Sequence, residues 1–433
     1  MKALENAKAG TLDPSFGENG IVIVDFPNPD DYTRYIRRVT TQGAGPETKI
    51  YFAGETTTFS SFDSYFVGRL NDDGTPDNTF GDNGLVLGQF PHRRRASVVS
   101  FAIQADGKIV LLAYHADELS TTTLFARFER DGKLDLNFGS NGYTSVDWER
   151  KTAPDAPIDD EKQRRTSGNG SLSGIEILPD GKILACNQNN WIVRLTPEGI
   201  LDNTFNKTGY VRVIHPDYSA NDMVLFEVQA QNNGKYVGCG VIVGPPNRSY
   251  FVRVDDTGTI DKLFGSSENG FVVMEGSIES KGIRIDRMAR QPNQRILGVG
   301  ATYAFPYENG VMTSIEPNGT PNIQFNRGEL LYTNLEDKKW TVWTGAAVQK
   351  DGKIVVSGGL GDDSVPLYEV VVARYINETL DPSFGDGRGW ITTALPAPGG
   401  GYATSMAFQE DGKIVVAATV NEIDKPMILR YLP

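Results

Sequence analysis

"LDPSFGENGIVIV" (residues 12–24) stands near the start of the chain, and "LDPSFGDGRGWIT" (residues 380–392) near its end. Between them the same signature returns as "PDNTFGDNG", "LDLNFGSNG", "LDNTFNKTG", "IDKLFGSSENG" and "PNIQFNRG", giving seven copies centred on Phe16, Phe80, Phe138, Phe205, Phe264, Phe325 and Phe384. Successive spacings are 64, 58, 67, 59, 61 and 59 residues. A near-constant period marks a repeat architecture, in which each unit is too small to bury its own apolar face and stacks on its neighbours.

Two further elements recur within each period. One is a turn leading into an apolar run: "QADGKIVLLA", "LPDGKILAC", "QNNGKYVGC", "QKDGKIVVSG", "QEDGKIVVAA". The other precedes most of the Phe copies: "FVGRLNDDG", "LFARFERDG", "WIVRLTPEG", "FVRVDDTG", "VVARYINET" and finally "MILRYLP". The fifth copy reads "MTSIEPNG", with no arginine. One unit is therefore four short strands. Strand A alternates ("SVVSFAIQ"), an Asp-Gly turn leads to strand B ("KIVLLA"), strand C follows ("LFARF"), and the Leu-Asp-x-x-Phe-Gly loop leads to strand D ("GYTSV"). Alternation and β-branched content favour strands over helices throughout. The fold class expected is all-β: a seven-bladed β-propeller of four-stranded antiparallel blades.

"RYINETLDPSFGDGRG" together with "QEDGKIVVAA" resembles the delta-60 repeat, a bacterial repeat of about this period. The resemblance runs through seven units and nearly the whole chain. It implies a β-propeller and carries no general activity with it.

Counting strands from the ends sharpens the topology. The last unit has A ("ATSMAFQ"), B ("KIVVAA") and C ("MILRYLP") and then stops. Its loop and strand D are the opening residues, 12–26. The N-terminal strand is expected to pair at the outer edge of the last blade, so that no sheet edge is left open between the ends. The whole chain, 1–433, reads as one propeller domain, with residues 149–173 as a long charged, Pro-containing insertion between blades.

In such a blade the A–B and C–D connections share one face, and here both are stereotyped. Asp13, Asp135, Asp202, Asp261 and Asp381 read as turn caps and the seven Phe as plugs between blades. The B–C and D–A connections lie on the other face and differ from unit to unit, so binding residues are expected there. His92 and His115 both map to the variable face of the second blade, beside Arg93 and Arg94. A histidine base next to cationic groups would suit an acidic substrate, although the arginines also suit plain ion pairs. Trp340 and Trp343, with Tyr303, Tyr307 and Tyr402 in neighbouring loops, offer ring faces of the kind that stack on sugars. Trp343 equally suits a plug of the channel. His215 occupies a position that is aromatic in other units (Phe26, Phe90, Trp148) and reads as strand-end packing.

Cys186 and Cys239 each lie four residues after a strand-B lysine, where other units have small or apolar residues, so both read as buried and unbonded. "NDDGTPDNTFGDNG" spaces its acids like a calcium loop but lacks the terminal bidentate Glu, so a structural calcium is a minor alternative to no cofactor. The net charge of −13 disfavours nucleic acid. No run of apolar residues is long enough for a membrane helix, and no secretory h-region is visible, which leaves the compartment open. The reading that results is a monomeric, non-catalytic scaffold offering variable loops to a protein, peptide or glycan. A hydrolase or lyase site near His92 and His115 is the alternative.

Overall fold

The computed structural model describes residues 8–27, 32–58, 64–91, 96–116, 120–149, 174–277, 282–303, 307–362, 365–396, 400–420 and 425–433. Seven antiparallel sheets stand around a central channel, each in the spatial order A-B-C-D. Blade 1 shows the pattern: A is Tyr32–Gln42, B is Lys49–Thr58, C is Ser64–Asn71 and D is Leu85–Gly88. Each innermost strand A contacts strand A of the blade on either side, including Tyr32–Gln42 against Gly401–Phe408 of blade 7, so the ring is closed. Blade 6 adds a two-residue strand, Thr379–Leu380, beside its strand C. The seven-bladed propeller expected from the repeat is the fold observed. No helix among the described residues is long and apolar enough to cross a membrane.

The apolar runs of strands B and C follow from burial on both sheet faces. There are seven interblade cores, one for each gap between neighbouring blades, and each contains one repeat Phe. All seven Phe side chains are buried. Phe138 of blade 2, for example, packs on Gly199 in the turn after strand C of blade 3. A Cβ there would lie 2.5 Å from the ring, and Gly199 has φ +83°, so both space and backbone require glycine.

The Asp residues do cap their turns. Oδ1 of Asp202 accepts the N–H and hydroxyl of Thr204 at 3.0 and 2.6 Å, and Asp13, Asp77, Asp135, Asp261 and Asp381 each accept the N–H two residues on. The other oxygen takes a role that the turn alone did not reveal. The strand-C arginine donates Nε to it: Arg69 to Asp77, Arg127 to Asp135, Arg194 to Asp202, Arg253 to Asp261, Arg374 to Asp381 and Arg430 to Asp13, all at 2.7–2.9 Å. Each of these arginines also stacks over its own repeat Phe at 4.6–4.7 Å. Five of them reach the next blade, bonding the carbonyl of Arg130, Pro197, Asp256, Pro317 or Asp72. Turn, interblade core and blade-to-blade register are thus fastened by one side chain.

The N-terminal segment completes blade 7 as expected, with a slightly different boundary. Ile21–Ile23 pairs antiparallel with Met427–Leu429 of the last strand C. The contribution begins before residue 12. Gly10 N donates to Leu432 O at 3.0 Å, Gly385 N of blade 6 donates to Ala9 O at 3.1 Å, and a Cβ on Gly10 would lie 2.9 Å from the Phe384 ring. Residues 9 and 10 therefore stand in for the turn that follows strand C in other blades. Of the insertion at 149–173, Glu149 ends strand D of blade 2 and the rest lies outside the described residues.

Candidate functional site

Strand A lines the channel, and in six blades it carries a one-residue bulge at the same place. The extra residues are Arg37, Val99, Phe226, Asp286, Thr344 and Thr404. A bulge thrusts a backbone carbonyl toward the partner strand. Strand B answers with glycine in four blades: a Cβ on Gly54, Gly240, Gly300 or Gly358 would lie 1.8–2.1 Å from the carbonyl oxygen of Tyr35, Val224, Arg284 or Val342. The bulge also re-aims side chains, and in blades 1 and 5 those side chains are charged.

Arg37 pairs with the buried Glu55, whose Oε2 accepts Val98 N of blade 2 at 2.9 Å. Burial would lower the Arg37 guanidinium, but Glu55 outweighs it and holds it above its usual range. In blade 5, Arg284 Nε lies 3.2 Å from Asp286 Oδ2, while Asp286 Oδ1 has no hydrogen-bond partner. Burial pushes the Asp286 carboxyl up against the pull of Arg284 and Arg287. Tyr303 lies beside this pair, with Arg284 Cζ 5.8 Å from its ring centroid, and burial pushes its phenol up to about 12.

Trp340 and Tyr402 are brought together. A Cβ on Gly359 of blade 6 would touch both, 3.2 Å from the Trp340 ring and 3.1 Å from Tyr402 Cβ. Both aromatics are half-buried where strand A of blades 6 and 7 begins, at the variable end of the channel. Asp362, at the end of strand B of blade 6, follows Gly361, which pairs with Trp340 in the ladder. Tyr303 and Tyr307 are half-buried around the B–C connection of blade 5. Trp343 is different. It is fully buried between blades 5 and 6 against Gly310, its indole N–H without an acceptor, so it is an interblade plug and presents no surface to a ligand.

His115 is half-buried in strand B of blade 2, in register with Ala96 and Thr122. Its companions in the sequence reading, His92, Arg93 and Arg94, lie outside the described residues. His215 is packed as expected, with ring centroids 4.9 Å from Tyr218 and 5.0 Å from Phe271. Cys186 and Cys239 are buried and unbonded in adjacent blades. Three of the four acids of "NDDGTPDNTFGDNG" are engaged by protein groups: Asp72 by Arg430, Asp73 by Thr75, and Asp77 by Arg69 and Lys49. No group of three or more potential metal ligands is found among the described residues.

Binding residues were expected on the variable face, yet two hollows lie on the stereotyped one. One, of about 550 Å³, opens between blades 3 and 4 and is lined by Lys182, Arg194, Gln231 and Thr257 among others. A smaller one, of about 180 Å³, lies beside it under the A–B turns of blades 4 and 5. Blade 3 has the short strands Ile175–Ile177 and Tyr210–Arg212, which leaves its neighbours less covered. The charged channel wall was not foreseen either, although "RYIRRV" and "IRIDRM" carry charge where another strand A reads "SVVSFA".

Residues 49–80 match the family model described as "Domain of unknown function (DUF5122) beta-propeller". The matched stretch runs from the start of strand B in blade 1 to its repeat phenylalanine, Phe80. No curated protein matches the chain. Among solved structures, a protein of unknown function from Dyadobacter fermentans is similar at 10% identity and TM-score 0.48, covering 97% of this chain and 100% of that one. An ulvan lyase is similar at 9% identity and TM-score 0.46, covering 95% and 96%. Drosophila Semaphorin 1b, extracellular domains 1–2, is similar at 10% identity and TM-score 0.44, covering 99% and 88%.

Proposed function

We propose that this propeller is a non-catalytic binding scaffold that holds a carbohydrate-bearing ligand at the variable end of blades 6 and 7. The convergence of Trp340 and Tyr402 over Gly359 carries the reading. Flat aromatic faces stack on the C–H faces of sugars, and carboxylates beside them accept hydroxyls. Asp362 and Glu369 supply the carboxylates. Both lie close enough to Lys339 to help Glu336 hold its ammonium above the usual range. The stereotyped face repeats one fastening six times, which serves the ring and not a ligand.

A glycan array probed with the full chain and with Trp340→Ala and Tyr402→Ala tests this. Wild-type binding that both variants lose supports the reading, and a blank array for the wild type overturns it. Binding of a peptide library instead, lost in the same variants, assigns the face to a protein ligand. The hydrolase or lyase alternative requires turnover that disappears in His115→Ala.

A further inference from the structure

Arg38 and Arg287 hold the same place in their repeats. Each directly follows the strand-A bulge, and each pairs in the ladder with a small apolar residue of strand B, Ala53 and Val299. Blades 1 and 5 are not neighbours, so the repulsion that Arg38 exerts on Arg287 acts across the channel. At the same place blades 6 and 7, which lie between them on one side, have Gly345 and Ser405, which add no bulk.

Neither guanidinium has a hydrogen bond or ion pair with a described residue, although Arg287 is only 7% exposed. The surrounding carboxylates pair with or hydrogen-bond to other groups, with Asp286 Oδ1 alone left over. Glu55 is held by Arg37 and Asp286 by Arg284. Glu227 accepts Met288 N at 2.6 Å and Gln229 Nε2 at 3.3 Å. Burial lowers the Arg287 guanidinium, Glu227 and Asp286 restore it in part, and Arg38 adds to the lowering. Two guanidinium groups without a hydrogen bond at one level of the ring, one of them answered only in part by Glu227 and Asp286, are unfavourable unless a further anion joins them.

We infer that Arg38 and Arg287 form a two-sided clamp for a small oxyanion, a carboxylate, phosphate or sulfate, inside the channel. Guanidinium groups suit this role because their planar donors meet two oxygens of such a group at once. The site is separate from the Trp340–Tyr402 ledge and does not depend on its ligand.

The test is calorimetric titration of the full chain with inorganic phosphate, sulfate and glucuronate at matched ionic strength, alongside thermal unfolding in each. Arg38→Met and Arg287→Met keep the apolar stem, Arg287→Lys keeps the charge, and Lys133→Met, which removes an exposed cation from the stereotyped face, is the control. The expected result is saturable one-site binding of at least one of the three. It falls tenfold or more in both Met variants, is partly kept in Arg287→Lys, and is unchanged in Lys133→Met. Tighter binding of glucuronate than of the inorganic ions identifies the carboxylate of a larger ligand as the source; the reverse order identifies a free ion. Removing one of two repelling charges also predicts that each Met variant in chloride unfolds no lower than the wild type. Absence of saturable binding, or the same stabilisation by salt in wild type and Met variants, overturns the clamp and leaves an adventitious ion only.

Discussion

Asn322 Nδ2 donates to Ser314 Oγ at 3.0 Å in blade 5, at the place where the other six blades join an arginine to an aspartate. Both partners have changed together, and a neutral hydrogen bond stands where an ion pair stood. That is what the energetics of buried pairs require. Losing one partner strands a charge, at about 3–5 kcal/mol, whereas replacing both is close to neutral.

The same exchange can be made elsewhere. Arg194→Ser alone and Asp202→Asn alone should each destabilise blade 3 by about 3–5 kcal/mol. The double variant should recover a large part of that loss, because it recreates the blade 5 pair. Denaturant unfolding of the four proteins completes the cycle. Strictly additive losses would show that the pair does not act as a unit.

Blade 5 also meets its neighbour differently. Gly81, Gly139, Asn206 and Gly265 each donate a backbone N–H to a carbonyl of the next blade at 2.6–2.8 Å. The equivalent Asn326 makes no such bond, and the turn of blade 6 has Asn377 and Glu378 in place of the usual glycine. The seam between blades 5 and 6 should open first. Hydrogen exchange is the measurement: the Asn326 amide should exchange well before those of Gly139 and Gly265. Equal protection would refute this.

Stability should fall with acid in two stages. Burial lowers His215 from 6.5, with Asp217 opposing only in part, so its neutral form is favoured on folding. A folded value below the unfolded one means that stability present above pH 6.5 is lost as pH falls toward the folded value. Burial alone would raise Asp202, but Thr204, Arg194 and Lys182 outweigh it and hold the carboxyl at about 2. Asp13, Asp77, Asp135, Asp261 and Asp381 are lowered in the same direction. Their share is complete above the ordinary value of 3.8 and is lost as pH falls below it. Denaturation midpoints measured from pH 8 to 2 should show both stages, and His215→Phe should abolish the first alone.

The two tryptophans should separate cleanly. Trp343→Ala empties an interblade core and should cost about 3–5 kcal/mol. Trp340→Ala should leave the unfolding midpoint nearly unchanged while removing ligand binding.

Burial raises the Cys186 thiol to about 12 and raises Cys239 as well. Neither should react with a thiol reagent in the native protein at pH 8, and both should react after unfolding. A native thiol titration of one or two groups would contradict this placement.

The period, the strand order and the closure of the last blade by the opening strand were legible in the chain because they are local signals repeated seven times, although residues 9 and 10 of that closure were not. Asp-Gly turns and alternation specify a blade, and copy number specifies the ring. The Arg194–Asp202 pair was harder to see. Its members are eight residues apart and meet only once strand C and the following loop have folded back on each other. Harder still was the channel wall. Arg38 and Arg287 are 249 positions apart in the chain and come to equivalent places on the ring only through the repeat. A bulge, which no composition rule announces, precedes each of them. Trp343 was misplaced for a related reason: it lies three residues from Trp340, but the bulge that follows it and the bare backbone of Gly310 draw it into the interblade core.

Pairing of residues 21–23 with residues 427–429 has a consequence for biosynthesis. The ribosome makes one half of this ladder about four hundred residues before the other. Six sheets can form while the nascent chain is still growing. The seventh cannot, so the first strand waits, its edge unmatched, until residues 427–429 have been made. A chain stalled or cut short before residue 427 carries that unmatched strand permanently, and its ring stays open.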